Sequence, residues 1–225
     1  MARRLSHQGF TLLEIIIVLA VVSALVSILT PRFFPYVDDA RRTQAQGDVS
    51  RISAAIQGMY KDTGRWPFYK DGQGRLAYAS GTDAALLTSN PLCGGGALDL
   101  CDATAPEDAT AASTWALSTA VADSLTNQLI RNRPFGLAVG ATAYRMAGTR
   151  AWKGPYLDKM ADVDPWGRSY LVNIANADPG DEGAETQRWV LVISAGPNGR
   201  LETLATAIGT ADPAPGGDDL VARVK

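Results

Sequence analysis

Hydrophobic positions follow three different regimes along this chain. From Phe10 to Thr30 they form a nearly unbroken run of 21 residues in which Glu14 is the only charge. As an α-helix, a run of that length spans roughly 30 Å, one hydrocarbon core. Farther on, Ala45, Val49, Ile52, Ile56 and Met59 recur at alternating spacings of four and three, which is one helical face. Arg41, Arg42, Asp48, Arg51 and Lys61 mostly fall elsewhere, so this second helix is expected to lay its apolar stripe on a sheet. Pro31 and Pro35 lie between the two regimes. Each removes a backbone donor and disfavours helix in the residue before it, which predicts a kink or a locally melted stretch from Thr30 to Tyr36. Gly64 and Pro67 are expected to end the helix.

The third regime lies late in the chain. Ser169–Ile174 and Arg188–Ile193 are rich in β-branched and aromatic residues, and Asp178-Pro-Gly-Asp181 between them has turn chemistry. They are expected to pair as an antiparallel hairpin, with a third strand at Leu220–Val224 or Gly136–Met146. Residues 71–113 are irregular, rich in Gly, Ala, Thr and Asp. From Thr114, the four-residue spacing of Leu117, Val121, Leu125 and Leu129 predicts a helix of about 17 residues before Pro134. Residues 209–217 read as a loop. The class expected is α+β: a long N-terminal helix, membrane-spanning in its first half, packed on a small antiparallel sheet, with a partly helical insertion.

Charge and composition orient this layout. Arg3 and Arg4 precede the span without acidic neighbours, which keeps that end in the cytoplasm and the rest of the chain outside. A cleaved secretory signal would have a shorter apolar region; Ser23-Ala24 and Ser27 are weak sites for cleavage and the run continues past them. A net charge of −2 gives no electrostatic reason to expect nucleic acid. The sole histidine, His7, precedes the span, and there is neither a phosphate-binding glycine loop nor a zinc spacing, so an enzyme is not expected. Cys93 and Cys101 are the only cysteines and enclose Gly94-Gly-Gly96. In an oxidising compartment a disulfide is their plain reading, and closing so short a loop contributes about 2–3 kcal/mol.

Glu14 has two readings. One turn inside the membrane, it can reach the headgroups. Alternatively, cutting the bond after Gly9 creates a cationic α-amino group on Phe10, which Glu14 of a neighbouring copy would neutralise in an apolar bundle.

Gly9-Phe-Thr-Leu-Leu-Glu14 followed by an apolar helix resembles the N-terminus of type IV pilins and of type II secretion pseudopilins. The resemblance implies cleavage after Gly9 by a prepilin peptidase, N-methylation of Phe10, and an assembly role for Glu14. Pro31, the twenty-second residue counted from Phe10, stands where the family has a proline. Four further blocks are similar to the major pseudopilin, in the same order: Met59–Pro67, Trp152–Leu157, Asp164–Arg168 and Ser194–Gly199. They read as turn and packing motifs.

That family also holds calcium in a C-terminal loop, and Ser194, Asn198, Asp218 and Asp219 stand in matching surroundings. Two departures are visible: Asn198 replaces a usual aspartate, and residues 200–215 look lengthened. In type IV pilins the disulfide usually lies near the C-terminus, whereas Cys101 lies 124 residues before the end.

The implied organisation is a leader at 1–9, a helix at 10–63 that spans the membrane over 10–30, and a periplasmic domain at 64–225 with an insertion at about 90–150. The implied function is that of a pseudopilus subunit in the bacterial inner membrane, polymerised into a periplasmic filament that drives protein export. Its implied partners are copies of itself, prepilin peptidase, minor pseudopilins, an inner-membrane platform, an assembly ATPase and a secretin. A type IV pilus subunit for adhesion, motility or DNA uptake, and a membrane-anchored periplasmic binding domain, are the alternatives.

Overall fold

The computed structural model describes residues 10–67, 85–97, 103–108, 115, 117, 121–134, 144–174, 190–205 and 215–224. Helix α1 spans Leu12–Thr63. It starts at Thr11, whose hydroxyl accepts from the Glu14 N–H at 3.2 Å and whose carbonyl accepts from the Ile15 N–H at 3.3 Å. Thr11 and Glu14 thus have the spacing of a capping box, and Glu14 sits in the first turn, where the helix dipole favours an acid.

The melted stretch expected as one outcome at Pro31 and Pro35 needs correction, because α1 is helical through both. Each proline removes one donor, but the neighbouring turns still propagate the helix, and the Thr30 hydroxyl donates to the Val26 carbonyl at 2.7 Å in the turn before. The end agrees with the sequence. Gly64 takes φ +66°, and its N–H donates to the Tyr60 carbonyl at 2.7 Å, an αL stop.

Packing divides the chain into Met1–Arg41 and Arg42–Lys225. In the first unit, the described side chains of α1 are exposed throughout. In the second, α1 buries Ala45, Val49, Ile52, Ile56 and Met59, the predicted stripe, together with Ala55.

The remaining elements are β1 (Ala85–Thr88), β2 (Gly94–Ala97), β3 (Glu107–Asp108), β4 (Val121–Ser124), α2 (Leu125–Leu129), β5 (Leu171–Asn173), β6 (Leu191–Ser194), β7 (Arg200–Leu201) and β8 (Leu220–Arg223). Six strands form one sheet in the order β2-β4-β1-β5-β6-β8, and β3 pairs with β7 in a second. The β5–β6 pair is antiparallel, as predicted, and β8 is the third strand at the first of the two places expected. Most of the other candidate, Gly136–Met146, lies outside the described residues. The main sheet is mixed rather than wholly antiparallel, because β1 and β4 run parallel.

The strands alternate between two cores. Leu87, Val172 and Val192 lie in register across β1, β5 and β6 and join the stripe of α1. Leu171 and Ile193 point the other way, into a core with Leu86, Trp115, Ala122 and Leu201. Burial on both faces is why β5 and β6 carry apolar side chains at successive positions, Leu171-Val172 and Leu191-Val192-Ile193. Along the outer strand β8, Gln46, Ser53 and Gln57 of α1 donate to the carbonyls of Val221, Arg223 and Val224 at 3.3, 2.6 and 3.0 Å.

The insertion also departs from expectation. Besides its helical part, it supplies β2 and β4 to the sheet. Among the described residues of the expected helix, Val121–Ser124 is strand and Leu125–Leu129 is helix. A spacing of four is also a multiple of the strand period, so Leu117 and Val121 fitted either pattern. Pairing with both β1 and β2 decides for strand, and Ser124 then caps α2 by accepting from the Thr126 N–H at 3.1 Å. Asp123 is fully buried here. It accepts from the Ser124 N–H and Asn127 Nδ2 at 2.8 Å and from Gln128 Nε2 at 2.5 Å.

Candidate functional site

Two regions hold the residues singled out by sequence. The first is the start of α1. Leu12–Thr30 is long and apolar enough to cross a membrane, and none of it is buried. Phe10, just before the helix, is 79% exposed. Glu14 projects from the first turn of that apolar surface. Gly9 lies outside the described residues.

The second region forms where the β6–β7 loop meets the start of β8. Gly196 and Gly199 turn the chain with φ of +61° and +71°. A Cβ on Gly196 would collide with the Asp218 carbonyl, and one on Gly217 (φ +50°) with the Glu202 carboxylate, so these glycines permit the close approach. Asn198 N–H donates to Asp218 Oδ2 at 3.1 Å. Asn198 Nδ2 and the Asp218 N–H donate to Glu202 Oε2 at 3.2 and 3.3 Å. The Glu202 and Thr203 N–H groups donate to Asp219 Oδ2 at 2.8 and 2.6 Å.

What remains is one oxygen on each aspartate. Asp218 Oδ1 and Asp219 Oδ1 are buried without a hydrogen-bond partner, and Asp219 is only 3% exposed. Burial pushes the Asp219 carboxyl above its ordinary range, and the charge of Glu202 adds to this, against the bonds from Thr203 and Glu202. Two unsatisfied carboxylate oxygens at a turn suit a hard cation that takes oxygen ligands. Among the described residues, no group of three or more His, Cys, Asp or Glu side chains is arranged to hold a metal by itself. A cation would therefore also draw on neutral oxygens.

The structure thus brings Asn198, Asp218 and Asp219 together. It turns the Ser194 hydroxyl elsewhere: Ser194 donates to Asp164 Oδ2 at 2.7 Å and accepts from the Gly196 N–H at 3.3 Å. Asp164 Oδ1 in turn accepts from the Trp166 and Arg168 N–H groups, so two of the sequence blocks lock together. Glu202 was missed by sequence reading. Its signal was an acid four residues after Asn198, paired with a Gly216-Gly217 step that only a close backbone approach requires.

The other blocks meet at the end of α1. Tyr60 stacks on Trp66 with ring centroids 4.0 Å apart, and Trp152 meets Tyr156 edge-on at 5.6 Å. Lys153 pairs with Asp62 at 3.1 Å. Cys93 is buried and takes part in a disulfide, while Cys101 lies outside the described residues.

An exposed apolar span with an acid in its first turn, joined to a small α+β domain, defines a class of membrane-anchored subunit, and residues 4–30 match the family model of the prokaryotic N-terminal methylation motif. In particular, the chain is 37% identical over 71 residues to the type II secretion system core protein G of Klebsiella michiganensis, covering 31% of this chain and 49% of that one. With core protein G of Pseudomonas aeruginosa the identity is 35% over 71 residues, with the same shares. Fimbrial protein EcpC of Eikenella corrodens is 31% identical over 75 residues, 33% of this chain and 49% of that one. The resemblance read from Gly9–Glu14 is borne out by these matches. The chain spans about half the length of the curated relatives it matches. No solved structure matches it.

Proposed function

We propose that this chain is a structural subunit of a type II secretion pseudopilus, inserted once in the inner membrane with its C-terminal domain in the periplasm. The observation that carries this reading is the methylation motif leading directly into an exposed, membrane-length helix with Glu14 in its first turn. In this account, prepilin peptidase cuts after Gly9 and methylates Phe10. The apolar first half of α1 leaves lipid for the core of a homopolymer, where Glu14 of one copy pairs with the Phe10 amine of the next. The role is mechanical rather than catalytic. An ATPase, a membrane platform, minor pseudopilins and a secretin complete the machine.

Two supporting features belong to the same proposal. Asp218 and Asp219, with neighbouring neutral oxygens such as that of Asn198, hold a calcium ion that ties the β6–β7 loop to β8. The two unpartnered aspartate oxygens support this. Cys101 is the disulfide partner of Cys93, since the chain has two cysteines.

Expression in a strain deleted for its own core protein G tests the reading. The mature chain should begin at Phe10, and export should recover along with fibres that contain it. Mature, correctly inserted chain that never enters a fibre would overturn it. The similarity to EcpC favours a pilus subunit as the second reading. That reading predicts fibres at the cell surface without recovered export.

A further inference from the structure

The loop cluster has a charge pattern that Asn198 alone does not explain. A cation held between two aspartates is weakened when a third acidic position becomes an amide, because ligand charge tunes calcium affinity. The geometry points to Glu202 as the residue that restores this charge, next to Asn198 and against the two aspartates. This inference rests on the calcium reading above and concerns which residue of this chain makes the site strong.

Three observations converge on Glu202. Its Oε2 accepts from Asn198 Nδ2 at 3.2 Å, so the missing charge at 198 and the extra charge at 202 touch. The same oxygen accepts from the Asp218 N–H at 3.3 Å, while the Glu202 N–H binds Asp219 Oδ2 at 2.8 Å, so one residue grips both aspartates. Gly217 lacks the Cβ that would overlap this carboxylate, which leaves room for it inside the turn.

The second aspartate gives the cluster its direction. Asp219 is 97% buried by its 3% exposure, and its Oδ1 has no partner. Glu202 brings a third negative charge beside Asn198 and the start of β8, and like charges drawn together in this way repel one another until a cation joins them.

The test is calorimetric calcium titration of the full mature chain in detergent, with melting temperature as a second readout. The wild-type chain should bind calcium saturably. Glu202→Gln keeps the shape of the side chain and removes its charge, and should weaken binding about tenfold or more. The exchange variant N198D/E202Q returns one charge to the same contact with the roles of donor and acceptor reversed, and should recover the wild-type affinity. Wild-type affinity in Glu202→Gln would overturn the role of Glu202 while leaving the calcium reading intact. Weak binding that the exchange does not rescue would also overturn it, since shape rather than charge would then matter. A wild-type chain that takes up no calcium would sink the calcium reading itself.

Discussion

Three residues show how burial sets what a polar group does here. Asp219 Oδ1 is buried without a partner, whereas the carboxylate of Asp123, equally buried, is surrounded by donors. The first asks for a ligand and the second for nothing. Asp219→Asn should therefore abolish any calcium-induced rise in melting temperature, which thermal scans with and without calcium will measure. Asp123→Ala should destabilise the domain by about 3 kcal/mol or more, read from the denaturant midpoint, because it strands several buried donors. Tyr170 is the third. Its hydroxyl donates to Asp48 Oδ2 at 3.0 Å, and burial, followed by the charge of Asp48, raises its pKa well above the ordinary 10.0. With the folded value raised, the stabilisation from neutral Tyr170 is complete below pH 10.0 and is lost as pH climbs beyond it. Unfolding free energy above that pH should fall more steeply in the wild type than in Tyr170→Phe, by about 1.4 kcal/mol per pH unit.

Among the elements, α1 was the most legible. Its stripe, its αL stop at Gly64 and its apolar first half follow from spacing and composition alone. Its passage through Pro31 and Pro35 did not, because propensity rules price the lost donors and not the length of helix on either side. The strands divide in the same way. β5 and β6 are short apolar runs with turn chemistry between them, and a local pattern suffices for these. β4 depends on partners, since Val121–Ser124 becomes strand only beside β1 and β2. Its pairing with β1 is a long-range fact that no window of 17 residues contains. Helix α1 also anchors β8 through side chains that periodicity assigns to its polar face. Ser53→Ala should cost about 1 kcal/mol at that edge and Ile56→Ala about 2–5 kcal/mol in the core, both measurable by urea unfolding.

At the scale of the whole molecule, the insertion is part of the domain's architecture. Because β2 and β4 complete the sheet beside β1, removing residues 90–150 should leave the α+β domain unable to fold, and proteolysis of the truncated chain would reveal this. The loop cluster was half legible: Asn198, Asp218 and Asp219 follow from resemblance, but Glu202 enters through a contact across the β7–β8 connection. The motif and the apolar span at the start of α1 were legible because their signal is local, six residues and a hydrophobic run. The consequence we propose for them is intermolecular: an exposed apolar helix surface whose single acid, Glu14, pairs with another copy. The most direct test compares fibres from wild-type chain and Glu14→Ala in cells that process both after Gly9. The account predicts normal insertion and cleavage of the variant with little or no fibre. Wild-type fibre yield from Glu14→Ala would contradict it.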